Sequence, residues 1–279
     1  MMARLARFPW LTHLLLISLT VLMIYPLLWL VSSSLKPNTE IFSTVSLIPS
    51  KLQLDNYVKG WNAMPRMPFS LFLRNSLFVS SMAVLGNLFS CTLVAYGFTR
   101  INFRFKGPLM ALLLATMMLP HQAVLVPQYI VFKNLDWVNT FKPLVVPPFL
   151  GSAFFIFLMM QFMRGLPKEL DESAEIDGCN RCQTYYRIIL PLCKPAMATV
   201  AIFAFLWSWE AFLDPVVYLG SPKLFTVPLG LRLFLDNTAA VSWGGLFAMS
   251  AVSLVPNLIL FLTGQRYFVE GITTSGLKG

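Results

Sequence analysis

Residues Trp10 to Val31 read WLTHLLLISLTVLMIYPLLWLV, a run of 22 residues without Asp, Glu, Lys or Arg. The hydrocarbon core of a bilayer is about 30 Å thick, and a helix of about 20 residues crosses it. Backbone groups in hydrocarbon must find partners within their own segment, so a run of this length indicates a transmembrane helix and not a barrel strand. It also exceeds the roughly 7 to 15 apolar residues of a signal peptide, and no small-residue cleavage site follows. We therefore expect a retained membrane helix.

Five further windows without Lys or Arg follow along the chain. The predicted spans are residues 10–31, 76–98, 108–132, 143–163, 195–219 and 244–264. Composition agrees, because 12% of the 279 residues are charged and 57% are hydrophobic, whereas soluble domains carry about 25% charged residues. The sequence predicts an all-α membrane protein of six transmembrane helices, forming one domain over residues 1–279.

The basic residues predict the orientation. With the N-terminus inside, twelve of the 21 Lys and Arg residues fall on the cytoplasmic side, among them Arg4 and Arg7, and nine on the outside. Five of those nine lie in the long first outer loop, so the short loops are strongly biased towards positive-inside. We expect both termini in the cytoplasm. The net charge is +9. The basic residues lie beside the apolar windows and do not form a continuous basic stripe, which argues against a nucleic-acid partner.

The cytoplasmic loop at residues 165–194 is the most polar part of the chain. Five of the twelve acidic residues lie between Glu169 and Asp177. Pro167 is expected to open a helix with acidic residues in its first turn, and Gly178 to end it. Asn180 is expected to cap a second short helix that Pro191 stops. Composition alone would fit an amphipathic loop at the membrane surface.

The spacing in this loop carries more information than its composition. Glu172-Ser173-Ala174, three residues, Gly178, nine residues and Ile188-Ile189-Leu190-Pro191 resemble the EAA-x3-G-x9-I-x-L-P signature of ABC importer permease subunits. Ser173 replaces the usual Ala of that signature. Leu54–Tyr57, Gly165–Leu170, Trp207–Leu213 and the tail at 271–279 are similar to the carbohydrate-uptake branch, on the side of the maltose transporter's shorter membrane subunit.

The resemblance implies the type I importer permease fold and a place in the cytoplasmic (inner) membrane of a bacterial-type cell. The loop would couple to a cytoplasmic ATPase through Glu172, Ser173, Ala174, Asp177, Gly178, Ile188, Leu190 and Pro191. The tail at 265–279 would reach the ATPase through Gly276, Lys278 and Gly279. Implied partners are a second permease in a heterodimer, two ATPase subunits, an extracytoplasmic sugar-binding protein and membrane lipid. The residues themselves leave open whether the second permease is a homologue or a copy of this chain.

The chain offers no catalytic constellation of its own. It lacks the G-x-x-x-x-G-K-[ST] loop that cradles nucleotide phosphates, so we expect no cofactor here, with ATP and Mg bound by the partner ATPase, and no enzyme activity. The histidines, His13 and His121, lie far apart in apolar segments, which favours structural roles over a metal site. Cys179 and Cys182 spell C-x-x-C without a second pair or a redox fold around them, so free thiols are expected.

Glu210 and Asp214 are the acidic residues within the six windows, and a carboxylate at bilayer depth is costly and usually functional. Four residues apart, they would share one helical face with Trp207. An aromatic ring beside carboxylates suits a sugar, which stacks its C–H face and donates its hydroxyls. Polar groups around Pro120 and Pro127, including His121 and Gln122, should break the third helix and line the same route. Solvated carboxylates at the outer end of the span are the alternative.

Two functions are therefore open. The first is a membrane subunit of an ATP-driven importer that translocates a sugar or oligosaccharide delivered by a binding protein. The second is an ion-coupled secondary transporter that uses Glu210 and Asp214. The spacing of the cytoplasmic loop favours the first.

Overall fold

The computed structural model describes the backbone of residues 9–64, 66–236 and 242–276. Within these residues the regular structure is entirely helical, which confirms the all-α prediction. The α-helices are α1 (Pro9–Ser34), α2 (Asp55–Trp61), α3 (Phe69–Arg100), α4 (Lys106–Met117), α5 (His121–Asn134), α6 (Lys142–Val145), α7 (Ala153–Arg164), α8 (Glu169–Ile176), α9 (Arg181–Thr184), α10 (Leu190–Leu192), α11 (Lys194–Glu210), α12 (Leu213–Tyr218), α13 (Val227–Asp236) and α14 (Trp243–Gly276). Short 3-10 turns lie at Pro147–Leu150 and Pro222–Leu224, and a π-helical turn at Tyr185–Ile189 joins α9 to α10.

Among the described residues, four helical segments are long and apolar enough to cross a membrane as single spans. They are Trp10–Ser34, Phe69–Arg100, Lys142–Arg164 and Trp243–Gln265. Each contains one of the predicted windows, because a backbone in hydrocarbon finds its partners within its own helix. The fourth window, 143–163, is nevertheless interrupted: α6 and a 3-10 turn precede α7, and Gly151, between that turn and α7, has a φ of 101° and a ψ of 141°. The last helix does not stop at the end of its window. It continues to Gly276, so the tail predicted at 265–279 begins as an extension of α14.

The third window is a pair of helices and not one straight span. Between α4 and α5 the chain bends by 104°, at the break formed by residues 118–120. Pro120 lies in extended conformation, with φ of −65° and ψ of 134°, and its ring disfavours a helical residue before it. The predicted break at Pro120 is confirmed. The predicted break at Pro127 is wrong, because Pro127 lies inside α5.

The fifth window, 195–219, is also interrupted. α11 ends at Glu210, Ala211 has a ψ of 123°, and α12 starts at Leu213. The ring of a proline clashes with the carbonyl of the fourth residue before it, and Pro215 places that clash at Ala211. The prediction of one helix from Pro195 to Leu219 is therefore wrong beyond Glu210.

The chain forms two compact units. The first comprises the described parts of Met1–Ser70 and Leu231–Val255. At its centre, the Asn56 amide donates to the carbonyl oxygens of Ser34 and Lys36, each at 2.9 Å. The buried Lys36 ammonium donates to the Ser46 carbonyl, and the hydroxyls of Tyr57 and Ser34 lie 2.8 Å apart. The first loop is thus fastened to the end of α1 through its Leu54–Tyr57 stretch.

The second unit comprises Leu71–Gly230 and the described part of Pro256–Gly279. Its core joins α3, α7 and α11 through fully buried sulfur-containing and aliphatic side chains, including Cys91, Met159, Met163 and Val200. Ile189 and Cys193 of the cytoplasmic loop belong to the same core. The loop is therefore anchored in the helix bundle of this unit rather than only tethered at its ends.

Candidate coupling loop and candidate transport pathway

The first helix of the cytoplasmic loop, α8, begins at Glu169, two residues after the Pro167 that is expected to open it. α8 carries Glu169, Asp171 and Glu172 in its first turn, where carboxylates complement the helix dipole. Ser173 donates its hydroxyl to the Glu169 carbonyl at 2.8 Å, so this departure from the usual Ala is accommodated within the helix. Ala174 is the buried residue of α8, whereas Glu169, Glu172, Ser173 and Glu175 are exposed.

Gly178 ends α8 in a Schellman motif. The Cys179 amide donates to the Ala174 carbonyl at 2.9 Å, and the Gly178 amide donates to the Glu175 carbonyl at 3.0 Å. The motif requires a left-handed residue, and Gly178 has a φ of +77°. Ile176, at the tip of α8, is 87% exposed. The turn therefore presents an apolar side chain among carboxylates.

The second helix of the loop begins at a capping box. The Gln183 amide donates to Asn180 Oδ1 at 2.9 Å, and the Asn180 amide donates to Gln183 Oε1 at 2.8 Å. The cap predicted at Asn180 is confirmed. This helix ends at Leu192, one residue after Pro191, and the chain then bends by 76° into α11. The end predicted at Pro191 is therefore met to within one residue.

The predicted coupling residues fall into two groups. Glu172, Ser173, Asp177, Gly178 and Pro191 are exposed, Ala174 is buried, and Ile188 and Leu190 are half-buried. The exposed set is available to a partner subunit, whereas the others hold the loop against its own unit. In the tail, Gly276 is the last residue of α14, and Lys278 and Gly279 lie outside the described residues.

The two intramembrane carboxylates do not share one helical face, because the helix ends between them. Glu210 closes α11 and accepts a hydrogen bond from the Asn257 amide at 3.3 Å. Asp214 lies in α12 and contacts His121 across an Oδ1 to Nε2 distance of 2.8 Å. The sequence did not predict this histidine partner for Asp214, because the two residues lie far apart along the chain.

Trp207 and His121 line one groove of about 890 Å³. The other lining residues are mostly apolar, with Thr116 and Ser152 among the few polar ones. The Trp207 indole is half-exposed and stacks on the Phe155 ring at a centroid distance of 4.9 Å. Gln122 is exposed but lies outside this lining, as do Glu210 and Asp214. Asp214 reaches the groove only through its contact with His121.

Two side-chain contacts in this unit were not predicted from the sequence. One is the contact of His121 with Asp214, and the other is the ion pair that joins Arg100 at the end of α3 to Asp171 of α8 at 3.3 Å. The spacing of Thr92, Tyr96 and Arg100, four residues apart on a helix, was a visible signal for a polar face. The described residues hold no group of three or more His, Cys, Asp or Glu side chains that could bind a metal ion.

Apolar helices long enough to cross a membrane, together with the capped, acid-rich loop at 165–194, are features of a polytopic membrane protein. Residues 86–272 match the family described as "Binding-protein-dependent transport system inner membrane component". The chain belongs to this family, and the structure gives it the architecture of an importer permease. The prediction of an ABC importer permease subunit, made from the sequence resemblance, is confirmed.

Relatives cover nearly the whole chain. The arabinooligosaccharides transport system permease protein AraQ of Halalkalibacterium halodurans is 34% identical over 259 residues, which cover 92% of this chain and 91% of that protein. The trehalose/maltose transport system permease protein MalG of Thermococcus litoralis is 30% identical over 264 residues, or 94% of each chain. The crystal structure of a bacterial ABC transporter involved in alginate import contains a chain with the same fold, at a TM-score of 0.85 and 19% identity, covering 95% of this chain and 98% of that one.

Proposed function

We propose that this chain is the permease subunit of an ATP-driven importer for a sugar or oligosaccharide in the cytoplasmic membrane. It acts with a second permease, two ATPase subunits that bind ATP and Mg, and an extracytoplasmic binding protein. The observation that carries the proposal is the similarity over more than nine-tenths of the chain to a permease named for arabinooligosaccharide transport. The chain itself has no phosphate-binding loop, so hydrolysis belongs to the partner.

The cytoplasmic loop supports this role by its shape. α8 exposes Glu172 and Asp177 beside the apolar Ile176 at a turn fixed by the Schellman motif. A fixed turn loses little conformational entropy on docking. The loop is therefore suited to sit in a cleft of the ATPase, with Glu172, Asp177 and Gly178 at the contact. We expect the tail to reach the ATPase as well, through Gly276, Lys278 and Gly279.

The lining of the groove is suited to a polar solute that also has apolar faces, such as a sugar. Trp207 offers a half-exposed ring for the C–H face of a sugar, and the His121–Asp214 pair offers a polar group at the edge of the same groove. Aromatic surface with few polar groups is the usual lining of a ligand site. Glu210 lies one turn beyond Trp207 on α11 and extends this route towards the outer end of the helix.

Uptake by reconstituted vesicles tests the proposal. Vesicles containing the complete complex, with loaded binding protein outside and ATP inside, should accumulate sugar, and a variant ATPase unable to hydrolyse ATP should abolish uptake. A protonophore or sodium ionophore should leave uptake unchanged. The His121–Asp214 contact gives the ion-coupled alternative a protonatable pair that the sequence did not reveal. Uptake that survives without ATP and collapses with the ion gradient would support that alternative instead.

A further inference from the structure

One face of α3 reaches the cytoplasmic loop at three points. Thr92, Tyr96 and Arg100 are spaced four residues apart, so they lie above one another along the helix. The Thr92 and Tyr185 hydroxyls lie 2.7 Å apart, and the Tyr96 hydroxyl donates to the Arg181 carbonyl at 3.1 Å. The rings of Tyr96 and Tyr185 also pack at a centroid distance of 5.1 Å. We call these three residues the α3 stripe.

Arg100 forms the end of the stripe and joins three segments. Its Nη2 donates to the carbonyl oxygens of Met163 at 3.2 Å and Leu166 at 3.0 Å. Its Nε lies 3.3 Å from Asp171 Oδ2 in ion-pair contact without hydrogen-bond alignment. The guanidinium is 6% exposed and the carboxylate 26% exposed. A charge this buried is tolerated only when it is paired and hydrogen-bonded, so the pair fixes where α8 can lie.

The α3 stripe connects the cytoplasmic loop to α3, which does not adjoin the loop along the chain. The loop continues directly only into α7 and α11, whereas the stripe ties it laterally to α3. α3 has 32 residues, a length of about 48 Å at 1.5 Å per residue, which is more than a bilayer core. Tyr185 also begins the π-helical turn of the loop, and such turns often mark functional hinges.

We propose that the α3 stripe transmits displacement of the cytoplasmic loop to α3, with Arg100 and Asp171 as its positioning residues. The inference rests on the proposed function, in which the ATPase moves this loop. When the ATPase draws α8 aside, the Arg100–Asp171 pair pulls the end of α3 with it, while the two tyrosines keep α9 in register. Without the pair, α8 moves alone and ATP is hydrolysed without translocation.

The test measures sugar transported per ATP hydrolysed in vesicles containing the complete complex. The variants are Asp171→Asn, Arg100→Gln and Tyr96→Phe, which removes only a hydroxyl. Arg104→Gln is the matched control, because Arg104 is exposed and its guanidinium lies over the Phe105 ring. Coupling between two binding sites usually changes an equilibrium affinity by roughly 5- to 150-fold, and we take an effect of that order as the guide for the transport ratio. We expect about a tenfold lower ratio for Asp171→Asn and Arg100→Gln, a smaller loss for Tyr96→Phe, and no change for Arg104→Gln.

The outcomes separate this inference from the proposed function. Failure of the proposed function would appear in the wild-type complex, as uptake that does not depend on ATP. Failure of the inference would appear as a wild-type ratio in assembled Asp171→Asn and Arg100→Gln complexes. The double variant should lose no more than either single variant if the two side chains act as one pair. Loss of assembly in both single variants would show a fold-stabilising pair and overturn a role in transmission.

Discussion

Gly178 and Gly97 differ in backbone conformation and not in the space around them. A Cβ added at either position would meet no atom within 4 Å, but Gly178 has a φ of +77° whereas Gly97 lies within helix α3. A left-handed conformation costs an L-residue about 1 to 2 kcal/mol, while Gly to Ala in a helix interior gains up to about 1 kcal/mol. The two sites therefore isolate the effect of φ.

We predict that Gly178→Ala lowers the melting temperature of the purified complex and that Gly97→Ala does not. The strained turn should also weaken the contact with the ATPase, so sugar-dependent ATP hydrolysis should fall in Gly178→Ala alone. Thermal denaturation and ATPase assays on the same preparation check both expectations. Equal behaviour of the two variants would contradict a requirement for the left-handed turn.

The loop cysteines should differ in reactivity. Burial raises the pKa of Cys193 to about 11, so only about one thiol in ten thousand is ionised at pH 7. The thiolate is the reactive species, and Cys182 is exposed while Cys193 is buried. Iodoacetamide should label Cys182 in the folded protein and Cys193 only after unfolding, as mass spectrometry of peptides would show. In the folded protein the thiolate fraction of Cys193 rises about tenfold for each pH unit up to its pKa, so any slow labelling of folded Cys193 should appear only at high pH. Labelling of Cys193 in the folded protein at pH 7 as fast as that of Cys182 would contradict this burial.

At the scale of elements, helix caps and breaks that depend on residues a few positions apart can be predicted from the sequence. Asn180 with Gln183, Gly178 after α8 and Pro120 before α5 all follow from residues a few positions apart, and the structure confirms each. The end of α11 at Glu210 also has a local signal in Pro215, but a proline within an apolar window does not by itself show a break, since α5 continues through Pro127. The His121–Asp214 and Arg100–Asp171 pairs join residues 93 and 71 positions apart, and only the packed helices bring them together. Candidate residues were therefore predictable, but their partners were not.

The bent pair α4 and α5 makes a topological prediction that reporter fusions can decide. Basic-residue counts place Arg104 inside and the segment around Asn139 outside, which requires the pair to cross the membrane together. Fusions after Arg104 and after Gly178 should report cytoplasm, and fusions after Lys59 and after Asn139 should report the outside. The same side for Arg104 and Asn139 would show that α4 and α5 form a re-entrant loop.

At the scale of the whole transporter, selection and translocation belong to different subunits in the proposed function. The binding protein would select the sugar outside the membrane, while the groove lined by Trp207 and His121 would only pass it on. Variants of the groove should therefore change the rate of uptake without changing the affinity of the binding protein. A purely structural side chain would instead change how much intact complex is recovered.

We predict that Trp207→Ala and Glu210→Ala lower uptake while binding-protein affinity stays unchanged. A hydrogen bond to a charged acceptor is worth about 1.5 to 3 kcal/mol, which gives about a tenfold or greater loss of rate for Glu210→Ala if the contact is made at the barrier. Trp207→Phe keeps an aromatic face against Phe155 and serves as the matched control, with most of the uptake retained. Uptake is normalised to the amount of intact complex in each preparation. A variant that assembles as well as wild type and transports at the wild-type rate would refute both the pathway role and the structural role of its side chain. A variant from which less intact complex is recovered would refute the pathway role and leave the structural role.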